Sequence, residues 1–257
     1  MKDELCVKVR GIERKFGDLQ VLNGVDLDVH VGELVGLYGP SGSGKTTLVN
    51  LIGALDRPNN GQIEVMGQDI LRMRDGRRAR LRREKIGFIF QSSTLLPTYS
   101  ALENIDLVLR LPRLNVFERR RRARAALAAV GLSAWTDHMP EELSGGQQQR
   151  IAIARALALQ SRLILADEPT SGIDTATARR ILALFRGIAA AEDTTFLIVS
   201  HDPMMVEYVD TVYDLHDGKV FRRDKAIQPP PMSMLQPPPP IENSAELLLE
   251  SAAHELE

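Results

Sequence analysis

The chain has 257 residues, 44% of them apolar, with 32 Lys and Arg against 34 Asp and Glu and a formal net charge of -2. That length gives one large domain or two small ones with material for a real core, and the near-neutral balance carries no general signature of nucleic-acid binding. The single cysteine, Cys6, excludes an intrachain disulfide framework and fits a reducing compartment. Residues 1–4 are polar with no apolar h-region behind them, and no run reaches the ~18 apolar residues of a membrane helix. The expectation is a chain soluble by itself, with no secretory leader and no covalent lipid anchor.

Residues 5–12, LCVKVRGI, alternate as a strand does, with Cys6 as a buried, inert thiol. A polar turn ends at Phe16-Gly17. Residues 25–31, VDLDVHV, place Val25, Leu27, Val29 and Val31 on one face of a second strand. Gly32-Glu33 turns into LVGLY, an apolar strand directly before residues 39–46, GPSGSGKT. This stretch fits G-x-x-x-x-G-K-[ST] at every fixed position, and the helical spacing of TLVNLIGAL behind it supplies the required strand–turn–helix context. Gly39, Gly42 and Gly44 let the backbone curl without Cβ clashes, so that successive N–H groups converge on phosphate oxygens. The helix start adds unpaired N–H groups and its dipole. Lys45 is expected to reach the β and γ phosphates, Thr46 to ligate Mg2+, and Thr47 to donate a further hydrogen bond. Ser41 and Ser43 belong to the same nucleotide-binding stretch.

Residues 55–61, LDRPNNG, end the first helix, and IEVMG is a short strand. Residues 72–85 are strongly basic. IGFIF is a buried strand ended by Gln91. Ser100 is read as an N-cap, with Glu103 completing a capping box. Residues 101–131 are mostly helical, interrupted at Pro112, with a second helix over about 116–130 and Gly131 as its C-cap. This stretch and WTDHMPEEL read as an all-helical insertion. Its run ERRRR, residues 118–122, is a solvated helix face, or a contact for acidic lipid headgroups or an acidic partner. Ser144-Gly145-Gly146 opens the next helix. LILA ends at Asp167, residues 175–191 are helical, TTFLIVS stops at His201, and TVYDL and KVFRR frame a hairpin at His216-Asp217-Gly218. QPPPMSMLQPPPP then reads as an extended linker and AELLLESAAHEL as a short terminal helix or a disordered tail. No internal repeat emerges.

This order predicts an α/β fold: a P-loop NTPase core with a mostly parallel sheet covered on both sides, N-terminal antiparallel strands and the helical insertion. Residues 1–223 are expected to form the nucleoside triphosphatase domain, with the insertion at about 92–158, and residues 224–257 the linker and tail. Phosphate loops sit at carboxyl ends of parallel strands, so Asp167 and His201, which follow strands in the same way, converge on residues 39–46. Asp167 is held near Mg2+, and Glu168, one residue on, orients or deprotonates the attacking water.

LSGGQQQR, residues 143–150, is close to a complete signature motif, and over residues 5–223 the sequence resembles the ATP-binding subunits of ABC transporters. The resemblance implies further roles. Phe16 stacks on adenine. Gln91 senses Mg2+, water and the γ phosphate and joins the catalytic core to the insertion. His201, in VSHDP, contacts the γ phosphate. Residues 171–174, SGID, communicate across a dimer, with Ile173 in place of the usual Leu and Asp174 kept. Two subunits, here a homodimer, face head to tail, so that Ser144, Gly145 and Gly146 of one contact ATP held by the other's phosphate loop. LIGALDRPNNG, VMGQDI and IGFIFQSSTLLPTYSALENI resemble more narrowly the ATPases of lipoprotein-release and macrolide-export systems. Asn59-Asn60 and residues 92–94 depart from the commonest forms there. This implies an integral membrane permease with a large extracytoplasmic domain as partner, a peripheral position on the cytoplasmic face, and lipoprotein, lipid, peptide or drug cargo. The competing readings are a soluble ABC ATPase acting on nucleic acid or ribosomes, kept alive by the basic stretches at 72–85 and 119–124, and a non-catalytic scaffold, opposed by intact Lys45, Asp167, Glu168 and His201.

Overall fold

A computed structural model describes residues 4–111 and 114–223. Pro112 and the proline-rich tail therefore lie outside the described residues.

Alternating apolar side chains build the first layer. Strands β1 (Leu5–Phe16), β2 (Leu19–His30), β4 (Asn60–Val65) and β5 (Gln68–Asp69) form an antiparallel sheet in the order β2-β1-β4-β5. β1 runs four residues past the expected end and meets β2 in a tight hairpin at Gly17 and Asp18. Register shifts between Val9 and Ile12 absorb Gly11, whose φ is 57° and whose N–H donates to Asp26 Oδ1 at 2.8 Å. Such a bulge hides the continuity of the strand from a period-two reading.

The second sheet holds β3 (Leu34–Tyr38), β6 (Ile86–Ile89), β7 (Leu163–Asp167), β8 (Thr195–Ser200), β9 (Thr211–His216) and β10 (Lys219–Arg223), in the order β10-β9-β3-β8-β7-β6. Every pairing is parallel except β9 with β10, the expected hairpin. Its central strands β3, β7 and β8 are buried on both faces, whereas the edge strand β10 is largely exposed. Leu163, Leu165, Leu197 and Val199 pack with helix α1 (Lys45–Ile52) and the antiparallel sheet. Ile164, Ala166, Phe196 and Ile198 pack with α3 (Ala101–Leu109), α4 (Val116–Ala129), α5 (Gly145–Ala158) and α6 (Thr175–Glu192). Two-sided burial is why these strands read as unbroken apolar runs. Cys6 is 2% exposed, and burial pushes its thiol above the usual range.

The Ser100–Glu103 capping box forms: Glu103 N–H donates to Ser100 Oγ at 3.3 Å, and Ser100 N–H to Glu103 Oε2 at 2.8 Å. Gly131, at φ 73°, follows α4 as a C-cap glycine does. The two basic stretches are less free than their composition implies. Residues 72–85 contain helix α2 (Asp75–Lys85), on which Arg78 is 6% exposed. Arg78 donates to the carbonyls of Ala54 and Asp56, and Arg82 to Ala54, tying α2 to the chain just after α1. On α4, Arg121 and Arg122 both bond Glu118 and Arg119 bonds Asp106. These two arginines hold the Glu118 carboxyl well below its ordinary range, at about 2.

Candidate active site

Parallel register puts the carboxyl ends of β3, β8, β7 and β6 along one edge: Tyr38 pairs with Ser200, Val199 with Asp167, and Ala166 with Ile89. The residues that follow these strands are the candidates. The loop after β3 is shaped by Gly42 at φ 80° and Gly44 at φ 102°, a region costly for any side chain with a Cβ. Gly39 serves a different purpose from the curling expected of it. A Cβ there would lie 2.5 Å from the Leu215 carbonyl oxygen, so the residue permits close approach to β9. A Cβ on Gly44 would meet Val21 at 2.9 Å, which puts the start of β2 against the loop. Phe16 lies across the hairpin from Leu19, 49% exposed, with the Arg14 guanidinium 4.4 Å from its ring centroid.

Lys45 is buried at the head of α1, its ammonium donating to the carbonyls of Gly39 at 2.8 Å and Pro40 at 2.9 Å. An ammonium has three donors, so one remains for a ligand in the loop. Ser43 Oγ is buried without a hydrogen-bond partner. Thr46 Oγ1 donates to Asp167 Oδ2 at 2.6 Å. Burial pushes the Asp167 carboxyl above the usual range. The Thr46 hydrogen bond opposes this, the adjacent Glu168 charge adds to it, and Lys45 opposes it again.

Glu168 has φ 50°, a left-handed conformation that costs a non-glycine residue about 1–3 kcal/mol and concentrates at functional sites. The strain is held by its own N–H, which donates to Val199 O at 2.9 Å. Its carboxylate, buried among neighbours, accepts from Ser200 Oγ at 3.3 Å and His201 N–H at 3.1 Å, and lies 2.7 Å from His201 Nδ1. Thr46–Asp167 and Glu168–His201 are thus two bonded pairs, adjacent through the Asp167–Glu168 peptide, with Lys45 at the head of the neighbouring helix. Gln91 is exposed two residues past Ile89, in the chain that follows the strand neighbouring the one that ends at Asp167.

Ser144, Gly145 and Gly146 are not joined to the phosphate loop by any hydrogen bond among the described residues. Ser144 caps α5 through Gln147 in a second capping box, Ser144 and Gly145 are exposed, and a Cβ on Gly146 would touch the Gly172 carbonyl at 3.1 Å. The signature therefore sits against the 171–174 loop of its own chain. Asp174 caps α6 by accepting from Thr177 N–H at 3.0 Å, and these hydrogen bonds lower its carboxyl. Gln149 was not among the residues singled out from sequence. It is 3% exposed and donates to the carbonyls of Phe90 and Pro169, bridging the chain after β6 to the chain after β7. The pattern offered one clue, a polar residue on the apolar stripe of α5.

The protein-family model for ABC transporters matches residues 22–171. The chain belongs to the ABC transporter ATP-binding family. Its relatives include the lipoprotein-releasing system ATP-binding protein LolD of Chromohalobacter salexigens, 43% identical over 222 residues, covering 85% of this chain and 94% of that one. The macrolide export ATP-binding/permease protein MacB of Syntrophobacter fumaroxidans is 42% identical over 82% of this chain, but only 30% of that longer protein is covered. Among solved structures, a dimeric ATP-binding cassette in a post-hydrolysis state bound to ADP and Pi superposes with a TM-score of 0.81 at 38% identity, covering 85% of this chain and 98% of that one.

This ABC protein is an ATPase, and the resemblance to the lipoprotein-release and macrolide-export group holds. Its loop fits ATP: a cradle of positive-φ glycines, a buried lysine and an unpartnered buried hydroxyl are what a triphosphate requires. The oxygen donors fit Mg2+ as well. One threonine hydroxyl and one carboxylate suit an ion that keeps waters and shares phosphate oxygens, and no cluster of three or more His, Cys, Asp or Glu occurs among the described residues.

Proposed function

We propose that this ATPase works as a pair of identical subunits on the cytoplasmic face of a membrane, driving an integral permease with a large extracytoplasmic domain. The cargo class is lipoprotein, lipid, peptide or drug. One observation carries the pairing: the acid and histidine side of the site is assembled within one chain, while Ser144 and Gly145 face outward at a helix start. A helix N-terminus with an exposed hydroxyl suits the γ phosphate of ATP on a second copy. The cargo class rests on the likeness to LolD over nearly that protein's whole length.

In this mechanism Phe16 stacks on adenine, and the N–H groups of residues 39–47 with Lys45 hold the phosphates. Ser41, Ser43 and Thr47 add hydroxyl contacts. Thr46, Asp167 and Gln91 would hold Mg2+, which when bound would offset phosphate charge. Closure of two copies excludes bulk water and brings Ser144, Gly145 and Gly146 to the opposing γ phosphate. Glu168 takes a proton from the attacking water as its oxygen adds in line to the γ phosphorus and the bond from that phosphorus to the β–γ bridging oxygen breaks, leaving ADP and phosphate. Lys45 and His201 stabilise charge on the transferring group, and no phosphoenzyme forms. Residues 171–174, with Asp174, report the state of one site to the other, and phosphate release opens the pair.

The test is affinity purification of the full-length chain from gently solubilised native membranes, with ATP turnover measured on the eluate. A multi-span protein retained in stoichiometric amount, and raising turnover, is the expected result. Recovery of ribosomal or nucleic-acid-associated proteins alone would overturn the assignment of what the ATPase drives.

A further inference from the structure

The turn that follows Gln91 is bonded not to the strand that delivers it but to the helix that carries the signature. Arg155 lies in the third turn of α5. Its guanidinium donates to Thr94 O at 3.0 Å, to Ser93 O at 3.1 Å and to Thr94 Oγ1 at 3.1 Å. It forms no ion pair among the described residues, so all these contacts are with neutral groups. Thr94 has φ 44°, a conformation a threonine holds only when its surroundings impose it. Gln148, one turn into α5, accepts from Ser93 Oγ at 3.4 Å and donates to the carbonyls of Pro140 and Leu143. From the other side Asn104 of α3, 2% exposed, accepts from Leu96 N–H and donates to the carbonyls of Leu96, Tyr99 and Ser100.

The chain is thus paired with the sheet up to Ile89, held by α5 through Gln149 at Phe90, and bonded to the helices again from Ser93 onward. Gln91 and Ser92 fall between these two attachments to α5. We propose that Arg155 is a positioning residue that makes the turn after Gln91 move with α5, so that the signature at the head of the helix and the turn beside Gln91 are set by one rigid piece. Ser144 and Arg155 are eleven residues apart in sequence, about 16 Å along a helix. A second copy's ATP that draws on Ser144 therefore shifts Gln91 through α5 and Arg155. The inference rests on the reading of Gln91 as a residue at the γ phosphate.

The experiment is a double-mutant cycle on the full-length chain: wild type, Gln91→Ala, Arg155→Met and the double variant, with kcat and KM for Mg·ATP and thermal unfolding recorded for each. Each single substitution is expected to lower kcat about tenfold with KM within about twofold, and the double variant to fall within about twofold of the worse single one. Arg155→Lys, which keeps one donor group, recovers part of kcat. If the two losses multiply, or Arg155→Met changes KM and leaves kcat alone, the positioning role is wrong. A wild-type kcat in Gln91→Ala would instead remove the reading of Gln91 on which the inference stands. Should Arg155→Met not fold, the same cycle run with Thr94→Val, which deletes only the hydroxyl contact, decides between these outcomes.

Discussion

Replacing Glu168 with Gln changes one oxygen to an amide and removes a charge at the most strained residue of the site. The wild-type carboxylate accepts from Ser200 Oγ and His201 N–H and contacts His201 Nδ1. A glutamine oxygen still accepts from the His201 N–H and, in the tautomer that carries the proton on Nδ1, from the ring. Its amide faces Ser200 Oγ, a hydroxyl with acceptor capacity in addition to the N–H of Asp202 it already takes. Trading charge-assisted for neutral hydrogen bonds costs about 1 kcal/mol, so the variant folds. Removing the base that accepts the water proton costs far more, about 10²- to 10⁴-fold in rate, or about 2.7–5.5 kcal/mol of barrier. Phosphate release at saturating Mg·ATP measures the rate, equilibrium nucleotide binding measures the ground state, and thermal unfolding controls for structure. The expected outcome is near-normal binding with turnover reduced by that factor. Turnover within about threefold of wild type would refute the role of general base. Lost binding would show that Glu168 holds the site together and does not act on water.

Three further outcomes are expected. Phe16→Ala removes an exposed ring, so stability is unchanged while ATP affinity falls by about 1–3 kcal/mol, the range of base–aromatic stacking, read by equilibrium binding. Arg78→Met leaves the Asp56 carbonyl without its guanidinium donor behind α1 and destabilises by about 2–3 kcal/mol in urea denaturation, whereas Arg77→Met, on the exposed face of the same helix, stays within about 0.5 kcal/mol. The Glu118 carboxyl is depressed from 4.5 to about 2, so its stabilising contribution is fully present above 4.5 and is lost as pH falls toward 2. The difference in Tm between wild type and Glu118→Gln should therefore be constant down to about pH 5 and shrink below it. A difference that grew in acid would reverse the sign of the linkage.

What could be read from sequence was what local chemistry dictates. Residues 39–46 carry their fold in their glycines, and the buried strands β7 and β8 announce themselves as apolar runs whose last residues had to meet at one edge. The Ser100–Glu103 box follows from spacing alone. What escaped depended on other parts of the chain. Helix α2 was legible only as a basic stretch because just Arg78 and Leu81 of it are buried, too few for an apolar period to show. The bulge at Gly11 broke the alternation that would have carried β1 to Phe16. Gln149 and Arg155 act through backbone carbonyls of distant loops, and a carbonyl has no letter in a sequence. The positive φ of Glu168 is likewise set by the neighbouring strand and not by its own side chain.

The central claim is that each ATP is hydrolysed between two copies of this chain. Gly145 has open space around it and an ordinary φ, so Gly145→Asp should fold while placing a negative charge where the opposing γ phosphate is expected. Lys45→Ala disables the phosphate loop. Each variant by itself carries the defect at both sites of a pair. Mixed, they form pairs in which one site joins an intact loop to an intact signature and the other combines both defects. Each variant alone should be nearly inactive, and an equimolar mixture should regain about a quarter of wild-type turnover, with half the pairs mixed and each holding one working site. A mixture no more active than its components, with mixed pairs demonstrated by differential tagging, would contradict the shared site.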